Sequence, residues 1–439
     1  VSAETSILTI ISTPGIAYRS NMAFLQLVLG YLMARVVVSF LLIPRYFAGE
    51  IYTAYQLIEV RFGKMLKVFT AVLFLGTRAL AEGVRVFAVA IVFEVVFKRG
   101  TLASLLIVTG LTLLYTFEGG LTAVIWTDVI QLTIYLCGTV LALGLALHRI
   151  PGGWTTVQHL ALISGHKLSV FNFSFNWHDP YVFWAGFIGG TFLTSASHGT
   201  DQLIVQRLLA ARNMRQSQAA LLSSGIVILF QFTLFLVVGV VLFAFYHFYP
   251  PAVALGRGDM IFPYFVIHSL PPGFAGLLTA AIIAAGMANL SAALNSLASS
   301  SVMDFYKPFF RKSASEHHYL NMSRFLTLVW GGVLIAIALG IATLHRSVLE
   351  LALTIASVPY GSMLGIFLLG TLTKNTRSTS ALIGALCGLG GLLLTIKLTG
   401  VAWTWYVAIG TIITFVVGWL AGRLQIYRAS RVLAQASGE

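Results

Sequence analysis

Long apolar stretches, separated by short polar or basic segments, run along the whole chain. Two of the longest, residues 226–245 and 325–344, each contain only two polar side chains. A helix rises about 1.5 Å per residue, so each stretch is long enough to cross a hydrocarbon core of about 30 Å. Polar and apolar residues do not alternate within them, as they do in the strands of a membrane barrel. The pattern therefore predicts an all-α integral membrane protein.

The same pattern predicts one partial helix at the start of the chain and eleven full spans after it. The partial helix covers about residues 1–13. The full spans cover about residues 22–44, 67–97, 101–117, 122–148, 181–206, 218–247, 273–300, 322–344, 347–371, 379–399 and 402–422. Because the chain begins at Val1 inside a stretch typical of a helix interior, we expect this first helix to be truncated.

Two of the predicted spans carry polar and helix-breaking residues. We predict that the first breaks at residues 12–15, Ser-Thr-Pro-Gly, and that the span at 181–206 is interrupted by its glycines and hydroxyl side chains. Lipid does not tolerate such segments, so they must face protein or water. They lie five spans apart, which is the spacing of an inverted repeat with a substrate site at the bilayer midplane. Close helix packing at small residues is the alternative.

Composition and charge agree with a membrane protein. Hydrophobic residues make up 58% of the chain and charged residues only 9%, against about 25% in soluble domains. The net charge of +13 comes from Lys and Arg in short loops, which favours the positive-inside rule over nucleic-acid binding. Their bias predicts a multi-pass cell-membrane protein with a cytoplasmic C-terminus. Cys137 and Cys387 lie in apolar stretches and indicate neither a disulfide framework nor a metal site.

Four segments resemble, in the expected order, motifs of the sodium/solute symporter family. GGLTAVIWTDVIQ at 119–131 is similar to the signature at the start of the fifth core helix. Residues 51–63 resemble the loop after the second core helix, 199–207 the end of the sixth, and 292–306 the end of the eighth. The resemblance implies the LeuT-type fold, an inverted five-plus-five helix repeat with extra C-terminal helices. It also implies sodium-driven symport of a small organic solute by alternating access.

This fold divides a single transmembrane domain, residues 1–439, into three parts. We expect the first inverted repeat at 1–148 and the second at 181–371. The extra helices and a cytoplasmic tail occupy 379–439.

The resemblance places the solute between the first and sixth core helices. The residues it assigns there are Ser2, Glu4, Thr5, Thr194, Ser197 and His198. Sugar-transporting members have asparagine and tyrosine where this chain has Thr194 and Ser197. Residues 13–19 are more similar to the branch that carries monocarboxylates, iodide and vitamins. The sequence therefore favours an anionic or zwitterionic solute, with His198 either a solute contact, a proton acceptor or a structural histidine.

The main sodium site of the family uses backbone carbonyls of the first and eighth core helices and two hydroxyl side chains of the eighth. By resemblance these positions fall on Val1, Ala285, Ala288 and Asn289. Ala288 has no hydroxyl and Asn289 offers an amide oxygen, so we expect a weakened main site. Proton-coupled and uncoupled transport are the alternatives within the same fold.

Some family members hold a second sodium ion with a carboxylate on the fifth core helix and a hydroxyl on the eighth. Those positions are Asp128 and Ser291. A hard cation prefers oxygen ligands, and a carboxylate at membrane depth supplies both ligand and charge. We predict that this pair carries much of the ion dependence. The alternative is that Asp128 braces its own helix.

Other charged residues leave competing interpretations. Arg78, Glu82 and Arg85 share one helix face, which indicates either an ion-pair ladder or an arginine that reaches an anionic solute. His198 and Asp201 could form the acid–base pair of a membrane-embedded acyltransferase-like enzyme. No second motif supports an enzyme, a channel filter or a signalling domain, so we interpret the chain as a transporter.

Overall fold

The computed structural model describes residues 5–47, 54–116, 121–344, 347–374 and 376–436. Only the backbone is described at residues 54–56, 115, 121–128, 202–203, 304 and 428–436. Within these ranges the secondary structure is entirely helical, as predicted.

Seventeen α-helices make up the described part of the chain. They are α1 (Ile7–Arg19), α2 (Leu25–Val37), α3 (Ile43–Phe47), α4 (Ala54–Phe62), α5 (Lys64–Phe97), α6 (Thr101–Thr116), α7 (Leu121–Arg149), α8 (Gly153–Ile163), α9 (Phe183–Gly199), α10 (Gln202–Leu209), α11 (Met214–Phe248), α12 (Ile261–Ser269), α13 (Pro272–Ser300), α14 (Glu316–Ala342), α15 (Val348–Leu372), α16 (Ser378–Thr399) and α17 (Tyr406–Ala436). Two π-helical segments, Val38–Leu42 and Ser301–Phe310, extend α2 and α13.

Eight helical stretches in the described ranges are long and apolar enough to cross a membrane. They are Leu25–Phe47, Val129–Arg149, Met214–Phe248, Pro272–Phe310, Glu316–Ala342, Val348–Leu372, Ser378–Thr399 and Trp403–Tyr427. Each coincides with a predicted span. The helices α5 and α6 also match predicted spans in their bounds, but α5 carries several charged side chains and α6 has only 16 residues.

The predicted break of the first helix at residues 12–15 is wrong. The helix α1 continues through Pro14 to Arg19, and it begins at Ile7, directly after Ser6 in an extended conformation with φ −102° and ψ 167°. Proline removes only one backbone donor, and the residues around it are buried, so packing compensates for the lost hydrogen bond.

The interruption predicted in the span at 181–206 is confirmed. The helix α9 ends at Gly199, Thr200 leaves the helical conformation with φ −129° and ψ −16°, and α10 begins at Gln202. The sequence around this point is rich in glycine and hydroxyl residues, which do not enforce a continuous helix.

The chain packs as two compact units, each built from separated segments. The first unit contains residues 1–25, 78–171 and 227–355, and the second contains 26–77, 172–226 and 356–439. The second has an apolar core that includes Tyr46, Phe62 and Phe367. In the first, Phe24 stacks on Phe232 with ring centroids 5.5 Å apart. Packing does not follow chain order, so the inverted-repeat boundaries at 148, 181 and 371 stay a prediction.

Candidate functional site

The start of α1 carries a buried polar pair within the first unit. The Thr5 hydroxyl donates a hydrogen bond to Gln231 Oε1 on α11 at 2.9 Å, and Thr5 and Gln231 are 2% and 0% exposed. Thr5 lies just before α1 begins, so its backbone is not committed to the helix. Two polar side chains therefore lie next to the N-terminal end of α1.

The amide nitrogen of Gln231 is buried and makes no hydrogen bond to the described residues. An unsatisfied buried amide costs about 1–3 kcal/mol, so the Gln231 amide nitrogen is a candidate for binding a ligand. Sequence reasoning did not assign Gln231, although a lone amide in the apolar stretch 226–245 was a visible signal.

In the second unit, three predicted solute residues lie together near the C-terminal end of α9. Thr194 and His198 are buried, and Ser197 is half-buried. The Ser197 hydroxyl lies 2.9 Å from His198 Nδ1 and also donates to the Thr194 carbonyl at 3.3 Å. Two adjacent residues of one helix thus place a hydroxyl and an imidazole side by side.

Two tyrosines hold the interruption that follows α9. The Tyr360 hydroxyl on α15 donates to Asp201 Oδ2 at 2.9 Å, and the Tyr46 hydroxyl on α3 donates to the Gly199 carbonyl. The last carbonyls of a helix lack intrahelical donors, and a buried carboxylate needs a partner. Side chains of the second unit therefore stabilise the interruption, and Asp201 takes part through its hydrogen bond with Tyr360.

Not every predicted solute residue can be placed. Ser2 and Glu4 lie outside the described residues. Thr5 belongs to the first unit, whereas Thr194, Ser197 and His198 belong to the second. The structure thus groups the three residues of α9 with one another and pairs Thr5 with Gln231. A single cavity formed by all of them stays a prediction.

The predicted main sodium positions on α13 offer few oxygen ligands. Asn289 Nδ2 donates to the Ala285 carbonyl at 3.1 Å, so the amide is turned toward one of the carbonyls assigned to the ion. Ala288 contributes no side-chain oxygen, and Val1 lies outside the described residues. Among the described residues assigned to this site, the Asn289 amide oxygen and the Ala285 carbonyl are the named oxygen groups, and the weakening of the site stays a prediction.

The second predicted sodium position contains a hydroxyl pair. The hydroxyl oxygens of Ser291 on α13 and Thr116 on α6 share a hydrogen bond at 2.8 Å, and both residues are buried. Sequence reasoning did not assign Thr116. Asp128 lies on α7 of the same unit, and its side chain lies outside the described part. Its proximity to Ser291 stays a prediction.

The predicted charge ladder on α5 is present. Arg78 Nη2 lies 2.8 Å from Glu82 Oε1, and Arg85 bonds to the same oxygen. Glu82 is fully buried. The other carboxylate oxygen of Glu82 has no hydrogen-bond partner among the described side chains and backbone. Two guanidinium groups on one carboxylate leave a net positive charge on this helix.

The eight candidate spans in the described ranges and the interrupted α9–α10 helix are typical of a multi-pass membrane protein. The model of the sodium:solute symporter family matches residues 2–388. The chain therefore belongs to the sodium:solute symporter family, a family of transporters rather than enzymes, which confirms the resemblance of the four motifs.

Curated relatives come from the branch that the sequence favours. The chain is 30% identical over 388 residues to the human sodium-coupled monocarboxylate transporter 1, covering 87% of this chain and 63% of that protein. It is 30% identical over 398 residues to the human sodium/iodide cotransporter, covering 88% of this chain and 60% of the relative. The chain spans less than two thirds of the length of either relative.

A solved structure confirms the fold. The substrate-bound, outward-open state of a Na⁺-coupled sialic acid symporter superposes with a TM-score of 0.84 at 23% sequence identity. The match covers 96% of this chain and 88% of the other. The LeuT-type arrangement expected from the motifs is thus the fold of this chain.

Proposed function

We propose that this chain is a secondary active transporter that couples uptake of a small organic solute to a sodium gradient by alternating access. Membership of the family supports the class of activity. The observation that carries the proposal is the interruption of the α9–α10 helix at Thr200, which is accompanied by the buried polar side chains of Thr194 and His198. Interrupted helices with such side chains are typical of substrate sites in transporters with repeated folds.

The proposed solute site consists of the polar side chains that the family resemblance assigns, with Gln231 added because it pairs with Thr5. It contains Thr5 and Gln231 with Thr194, Ser197 and His198, together with Ser2 and Glu4 from the start of the chain. The Gln231 amide, the Ser197 hydroxyl and His198 supply hydrogen-bond donors, which suit an acceptor such as a carboxylate. The names of the curated relatives, which carry monocarboxylate and iodide, support an anionic or zwitterionic solute.

We propose that the driving ion binds to residues of α6, α7 and α13. Asp128, Ser291 and Thr116 supply a carboxylate and two hydroxyls, all hard oxygen ligands. The main family position falls on Val1, Ala285, Ala288 and Asn289, and we expect it to bind sodium more weakly. Proton-coupled or uncoupled transport is the alternative, because the residues of the main position retain few side-chain ligands.

The protein acts in the cell membrane, with its C-terminus in the cytoplasm. The bias of Lys and Arg among the loops supports this orientation. Its partners are the solute, the driving ion and the bilayer, and the basic loops need no nucleic acid to explain them.

A thermal-shift screen tests the solute class. Purified protein is heated with monocarboxylates, zwitterionic amino acids or sugars, each in sodium and in potassium buffer. A bound ligand stabilises the folded state by mass action, so a carboxylate solute should raise the melting temperature, and more so in sodium. Stabilisation by sugars alone, or equal stabilisation in both buffers, would contradict the proposal.

A further inference from the structure

A small cavity lies at one end of three helices in the second unit, away from the residues assigned to transport. Its volume is about 230 Å³. The residues that line it are Leu372, Thr373, Lys374, Thr376, Trp419, Gly422, Arg423 and Ile426. They come from the end of α15, the turn before α16 and the last turns of α17. One water takes up about 30 Å³ of liquid, so the cavity has room for a group of several heavy atoms.

The charges around this cavity are all positive. Lys374 and Arg423 are exposed, and the Arg423 guanidinium stacks over the Trp419 ring at 5.2 Å. The sequence contains no acidic residue between positions 351 and 438. A cation pair that faces solvent without a carboxylate attracts an anion.

A third cation holds the rim in place. Arg61 on α4 donates from Nη2 to the carbonyls of Thr373 and Lys374, at 3.1 and 2.7 Å. The nearby carboxylate on α4, Glu59, is paired with Lys67 at 2.7 Å. The turn that carries Lys374 is therefore fixed, and the acidic group closest to Arg61 along its helix is already neutralised.

The cavity lies beside the ends of three candidate membrane spans, so we expect it at the level where a membrane meets water. The spanning stretch of α15 ends at Leu372, that of α16 begins at Ser378, and that of α17 ends at Tyr427. Leu372 and Ile426 are 51% and 39% exposed, and Trp419 has the polar edge that suits the interface. A basic cavity with an apolar lip matches a molecule that joins a phosphate to acyl chains, whereas a free phosphate would use only the basic part.

We propose that this cavity binds the headgroup of an anionic phospholipid. The phosphate lies between Lys374 and Arg423, and the acyl chains follow Leu372 and Ile426 into the bilayer. The site is separate from the solute and ion sites of the proposed transport function. If the predicted orientation holds, the lipid comes from the cytoplasmic leaflet.

Native mass spectrometry of the full chain, with phosphatidylglycerol or phosphatidylcholine added to the detergent, tests the proposal. The parent protein should retain phosphatidylglycerol in preference. Lys374→Gln and Arg423→Gln should each weaken retention about 5-fold, and the double variant about 25-fold, because a basic residue near an anionic lipid surface contributes about that factor. The control Lys397→Gln, an exposed cation at the opposite end of α16, should retain the parent's preference.

Equal retention of the two lipids by the parent, or unchanged retention by the double variant, would overturn the proposal. Glycerophosphoglycerol and inorganic phosphate distinguish a lipid from a soluble anion. Displacement of the lipid by either at low millimolar concentration would show that the site recognises the anion alone. All these variants lie on the surface, and an unchanged melting temperature in detergent would confirm that they fold.

Discussion

Gln231 provides the most direct test of the proposed solute site, because its buried amide nitrogen makes no hydrogen bond to the described residues. Replacing it with leucine keeps the side-chain size, removes the unpartnered amide nitrogen and breaks the bond to Thr5. We expect solute affinity to fall about 10- to 100-fold, as for a lost hydrogen bond of about 1–3 kcal/mol, with little change in melting temperature. The measurement is the solute dependence of the thermal shift.

A neighbouring threonine provides the matched control for this substitution. Thr233→Val alters the same apolar stretch, but the Thr233 hydroxyl bonds only to the Leu229 carbonyl of its own helix in the described structure. Its solute affinity should match the parent. If Gln231→Leu also binds solute with the parent's affinity, the amide is structural and the site must be sought elsewhere.

Asp128 is expected to set the ion dependence. Asp128→Asn keeps the shape and one oxygen but removes the charge, so the sodium concentration for half-maximal uptake should rise at least about 10-fold. Uptake is measured against sodium concentration and against pH. Asn289→Ala, at the weaker position, should shift the sodium curve less. A folded Asp128→Asn protein with the parent's ion dependence would assign Asp128 a structural role.

At the residue scale, the family resemblance located one residue of each polar pair, Thr5 and Ser291. His198, Ser197 and Thr194 stand out because they fall in a span that lipid could not tolerate. Gln231 and Thr116 were identified only by their hydrogen bonds to Thr5 and Ser291, which lie far away along the chain. No periodicity or spacing in the sequence brings such residues together, so their pairing required the fold.

The interruption between α9 and α10 depends on Tyr360. Tyr360→Phe removes the hydroxyl that donates to Asp201, and a hydrogen bond to a charged group contributes about 1.5–3 kcal/mol. We expect a lower melting temperature and reduced uptake. Tyr249→Phe removes an exposed hydroxyl bonded to the Arg149 carbonyl and should change both far less. Equal behaviour of the two variants would show that the interruption does not need this contact.

The helix α1 depends on a close backbone approach at Gly15. An added Cβ would lie 2.4 Å from the Gly258 carbonyl oxygen, so Gly15→Ala should destabilise the protein by about 1–3 kcal/mol. Gly340→Ala on α14 is the control, because its Cβ meets no atom within 4 Å. That variant should be neutral or slightly stabilised in thermal unfolding. A stable Gly15→Ala protein would show that α1 can move away from this contact.

At the element scale, the apolar pattern predicted the spans well and the breaks less well. The bounds of α11, α15 and α16 differ from the predicted spans by only a few residues. The break expected at residues 12–15 was wrong, because the conformation around a proline depends on what packs against it. Gly15 packs against Gly258 and Pro14 packs against Gly239, and neither contact is visible in a local sequence.

At the scale of the whole molecule, the protein class and the fold were predictable from the sequence, and the packing of distant segments into two units was not. Composition and span length indicate a helical membrane protein, and four ordered motifs indicate the family that residues 2–388 match. The two packing units combine segments from three parts of the chain, which a linear pattern cannot reveal. Repeat boundaries and the cytoplasmic C-terminus are topological properties and stay predictions.

Solute uptake into proteoliposomes tests the central claim, that a sodium gradient drives transport through this fold. Purified protein is reconstituted, and labelled solutes from the thermal-shift screen are added with an inward gradient of sodium, potassium or protons. We expect accumulation above equilibrium with the sodium gradient alone, abolished by a sodium ionophore and reduced by Gln231→Leu at low solute concentration. Accumulation driven by the proton gradient, or uptake that never exceeds equilibrium under any gradient, would contradict sodium-coupled symport.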